Sequence, residues 1–104
     1  MNREFETVGN ASDISIGAVA AFDVKGTRVA VANVGGTFYA FDDTCTHEQC
    51  SLADGELEGA TVVCPCHQGE FDVRTGEVLA PPPPAPVKTY RVRTEGDALQ
   101  VALE

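Results

Sequence analysis

The sequence predicts a small all-β domain, and three observations carry that expectation. Glycine and proline punctuate short strand-like runs along the whole chain. No stretch holds helical periodicity over ten or more residues. The 104 residues contain neither an internal repeat nor a linker, which fits a single domain, 1–104.

The elements follow in order. Ala18–Val24 and Thr27–Val34 flank Lys25-Gly26, a hairpin signal. Gly35-Gly36 turns into Thr37–Phe41. Residues 43–59 read as strand-poor, with room for one turn of helix. Thr61–Cys64 is a short strand. Gly69–Val73 and Glu77–Leu79 flank Arg74-Thr75-Gly76, a second hairpin signal, and Val87–Thr94 and Ala98–Leu103 flank Glu95-Gly96-Asp97, a third. The run Pro81-Pro82-Pro83-Pro84-Ala85-Pro86 reads as an ordered loop, because the strands after it must pack back onto the same domain.

With 43% apolar and 22% charged residues, the chain is globular in composition. Its formal net charge of −9 argues against nucleic acid and anionic membrane surfaces as partners. The same charge suits docking to basic protein surfaces. Met1-Asn2-Arg3-Glu4-Phe5-Glu6 shows no basic segment followed by an apolar one, so a signal peptide is not expected. No run approaches the ~20 apolar residues that span a bilayer. The expectation is a soluble, cytoplasmic protein.

The chemistry concentrates in two short motifs. Cys45-Thr46-His47 is followed, after a sixteen-residue spacer, by Cys64-Pro65-Cys66-His67. Both histidines of the chain fall in these motifs. Two Cys/His pairs at C-x-H and C-x-x-H spacing match the ligand set of a Rieske [2Fe–2S] cluster, with thiolates on one iron and imidazoles on the other. In C-x-H an extended backbone puts both side chains on one side. In C-x-x-H a tight turn does so, and Pro65 favours a turn. The ligands expected are Cys45, His47, Cys64 and His67. A plant-type [2Fe–2S] loop would use Cys45 and Cys50, but Ala53 stands where its third cysteine belongs. Two Cys and two His also suit tetrahedral zinc, though not at the usual finger spacings, so a structural zinc module is a rival.

On these motifs, and on the proline run after them, the chain resembles the Rieske family. Its layout from Phe5 to Leu103 is similar to the small Rieske-type ferredoxins of bacterial oxygenase systems. The resemblance implies an antiparallel β-sandwich or barrel base with an inserted cluster-binding subdomain, about 43–73. It implies that the proline run packs beside one [2Fe–2S] cluster. It also implies that Cys50 and Cys66, the two remaining cysteines, bridge the loops, as in disulfide-containing Rieske proteins. Most oxygenase-type ferredoxins of this kind lack that pair. A reducing compartment opposes such a bridge, and burial beside the cluster would shield it.

In high-potential relatives a Ser and a Tyr after the second loop donate hydrogen bonds to sulfur. Gly69 and Phe71 stand at those positions and carry no donor. With Glu48, Asp54, Glu56, Glu58 and Glu70 nearby, this places the expected midpoint nearer −150 than +300 mV in the family range of roughly −150 to +300 mV.

The chain therefore reads as a one-electron carrier, not an enzyme. No nucleophile–base pair, carboxylate dyad or phosphate-cradling loop is present in the sequence. Its expected protein partners are a ferredoxin reductase and a terminal oxygenase. The alternative, favoured by the spare cysteines, is a small Rieske subunit of a larger oxidoreductase of the arsenite oxidase or nitrite reductase type.

Overall fold

The computed structural model describes residues 5–44, 50–66, 69–80 and 85–103. Among them β1 (Phe5–Asn10), β2 (Val19–Val24), β3 (Thr27–Val34), β4 (Thr37–Asp42), β9 (Thr89–Glu95) and β10 (Ala98–Ala102) build one antiparallel sheet in the order β1-β10-β9-β4-β3-β2. A second sheet takes β5 (Glu56–Glu58), β6 (Thr61–Val63), β7 (Glu70–Asp72) and β8 (Val78–Ala80) in chain order. The edges of the large sheet curl towards each other: a Cβ on Gly9 of β1 would lie 3.3 Å from the Phe22 ring of β2. The result is close to a barrel, with the small sheet as an insertion between β4 and β9.

Strand β3 joins the two halves. It is buried along both faces, and its side chains alternate between two cores. Val29 and Val31 join Ile14, Val24, Ala40, Leu99 and Val101 inside the large sheet. Ala30 and Ala32 face the other way and join Phe41, Leu52, Val62, Cys64, Phe71, Val73 and Val87. In β4, Ala40 and Phe41 divide between the cores in the same manner. The small sheet thus packs against the outer face of β3 and β4, and Cys64 belongs to that second core.

The three hairpin signals all mark hairpins: β2–β3, β7–β8 and β9–β10. Residues 43–59 hold more structure than expected. A one-turn 3-10 helix at Leu52–Asp54 matches the expected turn, but β5 follows it directly. Glu56-Leu57-Glu58 is too short for its alternation to register as a pattern, yet it pairs fully with β6. No described helix is long and apolar enough to cross a membrane.

Candidate metal centre

Three segments rise from neighbouring points at the edge of the second core. The first leaves β4 at Asp42 and returns at Ser51. An antiparallel bridge between Thr44 and Ser51 closes its base, and the Leu52 N–H donates to the Asp43 carbonyl at 2.6 Å. Asp43 itself is 2% exposed. Its carboxylate accepts from the Ser51 hydroxyl at 2.6 Å and from the Ala53 N–H at 2.9 Å, and Arg28 Nε lies 3.4 Å from it. A buried carboxylate is stable only when so satisfied. Here it ties both ends of the first loop to the large sheet.

The second segment connects β6 to β7. The Cys64 N–H donates to the Gly69 carbonyl at 2.7 Å, so the chain leaves and re-enters the sheet at one point. Pro65 and Cys66 form the exposed turn, whereas Cys64 is 1% exposed. Beneath this turn Gly55 lies so close to the Val63 carbonyl that any Cβ would collide with it. That contact fixes the end of the 3-10 helix against the start of the second loop.

The third segment is the proline run. Pro81–Pro84 lie outside the described residues, but the roots of the loop are defined. After it, the Val87 N–H donates to Gly76 at 2.9 Å, and the Lys88 carbonyl accepts from the Asp42 N–H at 2.8 Å. Gly76 has φ +84°, and a Cβ there would strike the Val87 carbonyl. The chain therefore rejoins β9 beside the root of the first loop. The Tyr90 hydroxyl donates to Asp42 at 2.6 Å and reinforces the same corner. Burial first, and then this bond to a carboxylate, pushes the Tyr90 phenol well above its ordinary value.

Of the four expected ligands, Cys64 is described; Cys45, His47 and His67 lie outside the described residues. Cys50 and Cys66 are joined in a disulfide with a Cα–Cα distance of 6.4 Å, linking the first loop to the second. The bridge expected from the resemblance is present. Within the protein chain Cys66 is exposed and Cys50 half-buried. Cys66 sits at the outer corner of a turn, where the core cannot cover it.

The donor chemistry fits a Rieske cluster. The disulfide removes two of the four cysteines, Cys64 keeps a free buried thiol, and the thiols and imidazoles then left by the sequence are Cys45, Cys64, His47 and His67. Asp54 and Glu56 line the same cavity of about 260 Å³ as Cys64. Their charge opposes addition of an electron nearby. Gly69 and Phe71 are both buried, and neither side chain supplies a donor.

Sequence reasoning missed Asp43, Arg28 and Gly55 as organisers of the site. Arg28 and Asp43 are far apart in the chain, and Gly55 is marked by a contact with β6 that no local pattern reveals.

Two separately closed loops, cross-linked by Cys50–Cys66, thus stand on the small sheet beside a β-barrel-like base, with the free thiol of Cys64 at the root of the second. The chain belongs to the Rieske [2Fe-2S] domain family, whose model matches residues 4–91. It is 42% identical over 92 residues to the ferredoxin component of the naphthalene 1,2-dioxygenase system of Pseudomonas putida, covering 88% of each chain. The structure is similar to the ferredoxin of carbazole 1,9a-dioxygenase from Nocardioides aromaticivorans, with TM-score 0.92, 34% identity and coverage of 96% and 98%. It also matches a chain from the complex of reduced oxygenase and oxidised ferredoxin in carbazole 1,9a-dioxygenase, with TM-score 0.90, 36% identity and coverage of 99% and 100%. Rieske domains of this kind carry one [2Fe–2S] cluster, so the zinc reading is set aside.

Proposed function

We propose that this chain passes single electrons from a ferredoxin reductase to a terminal oxygenase, with Cys45 and Cys64 holding one iron and His47 and His67 the other. When bound, the cluster supplies a one-electron couple. The chain's own residues hold and expose it. Cys64 presents its thiol from a core that excludes water, and Asp43 and the Cys64–Gly69 bond set the two loop bases. The whole chain, 1–104, works as one domain, with residues of about 43–73 as its cluster-bearing part.

The observation that carries this reading is the pair of loops, each with a Cys/His motif, closed at the base and joined by Cys50–Cys66. The relatives' roles as ferredoxin components of dioxygenase systems supply the direction of transfer. Charge supports the docking chemistry. Residues 43–87 hold eight of the sixteen carboxylates but a single cationic side chain, Arg74. Most of the net charge of −9 therefore sits on the loop-bearing half, where it favours basic partner surfaces.

The test is stopped-flow mixing of the reduced protein with an oxidised terminal oxygenase of the naphthalene or carbazole type. Rapid reoxidation that slows steeply with added salt is expected. Reoxidation no faster than in buffer alone would contradict the proposal. The disulfide supports one second reading, a subunit of a larger oxidoreductase, which predicts a stable large partner on purification from the native source.

A further inference from the structure

The Cys50–Cys66 bridge has two features that a purely structural staple lacks. Cys66 stands exposed at the corner of the second loop. Its partner, Cys50, lines an open cavity of about 420 Å³ with Arg28, Asp43, Thr44 and Ser51. Each loop base also has closing contacts of its own. The first is shut by the Thr44–Ser51 bridge and the Asp43 carboxylate, the second by the Cys64–Gly69 hydrogen bond.

We propose that this disulfide is a thiol-exchange site, open in the folded protein to small-molecule thiols and attacked at Cys66. The thiolate sulfur of the small thiol bonds to Cys66 Sγ as the Cys50–Cys66 bond breaks. The electron pair leaves on Cys50 Sγ, which takes a proton from water. A second thiol then attacks the mixed disulfide, releases Cys66 and departs as the oxidised small-molecule disulfide. The protein gains two electrons and two protons, and two small thiols are oxidised.

The geometry assigns the direction. Attack falls on Cys66 because that residue is exposed at the turn, whereas Cys50 is half-buried. Cys50, the leaving side, lines a cavity that holds both the Arg28 guanidinium and the Asp43 carboxylate paired with it. Buried Cys64 is not a competitor for small reagents. A consequence follows that rests on the proposed cluster site: opening the bridge uncouples the two loops, so the protein holds the cluster less tightly without unfolding.

The experiment uses the native iron-loaded protein at neutral pH without denaturant. It is incubated with glutathione, quenched with N-ethylmaleimide and mapped by peptide mass. The expected early products are a glutathione adduct on Cys66, maleimide on Cys50 and an unmodified Cys64, giving way to maleimide on both Cys50 and Cys66, and formed many-fold faster than the protein unfolds globally. Exchange only at the rate of global unfolding would overturn the proposal, and so would an adduct confined to Cys50. In parallel, an iron chelator should bleach the thiol-treated protein several-fold faster than the untreated one; equal rates would overturn the consequence for the cluster. The mass readout does not depend on iron. A colourless protein that still exchanges at Cys66 would reject the cluster assignment and leave the exchange site standing.

Discussion

The two sheets are held together by different means. The large sheet has strands of five to eight residues joined by tight hairpins, and its core is built of Val, Leu and Ile. The small sheet has strands of three residues. It borrows a third of its buried core, Ala30, Ala32 and Phe41, from β3 and β4, and adds a disulfide, a buried carboxylate and two glycine contacts against backbone carbonyls. A sheet of such short strands is marginal alone. The site-bearing half is positioned by point contacts, so single substitutions there should disturb the loops while sparing the large sheet.

Gly55 gives the largest expected effect. Gly55→Val drives a branched side chain into the Val63 carbonyl and should cost roughly 4 kcal/mol, at the exceptional end for one substitution. Gly59→Ala, with φ +61° and open space around it, should cost about 1 kcal/mol. Chemical denaturation of both variants checks the contrast. Equal costs would show that the contact at Gly55 relaxes freely.

Removing the bridge comes next. Cys50→Ser with Cys66→Ser should lower stability by about 3 kcal/mol on the chain-entropy account for a loop of this order. The loss should appear in amide exchange of β6 and β7, with β2, β3 and β10 protected as before. A uniform loss over both sheets would dissolve the distinction drawn between them.

Asp43→Ala should cost about 2 kcal/mol, because the Ala53 N–H and the Ser51 hydroxyl lose a buried acceptor. The Arg28 contact adds little, since that guanidinium is half exposed. Thermal melts of Asp43→Ala and Ser51→Ala should show the larger fall for Asp43.

The smallest effects are in pH. Its side-chain hydrogen bonds from Arg74, chiefly, hold Asp72 below the usual carboxylate range against the opposing cost of burial. A depressed folded-state value stabilises above the unfolded pKa of about 3.9. That contribution is lost as pH falls through the folded value. Asp72→Asn should therefore flatten the acid limb of a melting curve. Tyr90 has the opposite sign. Its raised value stabilises below the unfolded pKa of about 10, and the benefit is lost as pH rises beyond it. Tyr90→Phe should remove that alkaline loss.

The same division marks what the sequence made legible. The hairpins at Lys25-Gly26 and Glu95-Gly96-Asp97 announce themselves through turn residues between alternating strands, and the large sheet follows from them. The two Cys/His motifs announce their chemistry through spacing. The disulfide was legible only through resemblance, and its exposure was not legible at all, because exposure depends on which side of a turn the core lies. β5 escaped because three residues are too few for periodicity. Asp43 escaped because its partners come from β3 and from beyond the first loop. Contacts that join distant segments leave no local trace.

Cys64 and Cys66, two residues apart, divide the labour of the second loop. Cys64 is buried with a free thiol and assigned to iron; Cys66 is exposed and assigned to the bridge. The direct measurement is the EPR spectrum of the reduced protein for Cys64→Ser and Cys66→Ser beside the parent. A Rieske signal in the parent, lost in Cys64→Ser and retained in Cys66→Ser, is the predicted result. Retention in Cys64→Ser, or no such signal in the iron-loaded parent, would contradict the assignment.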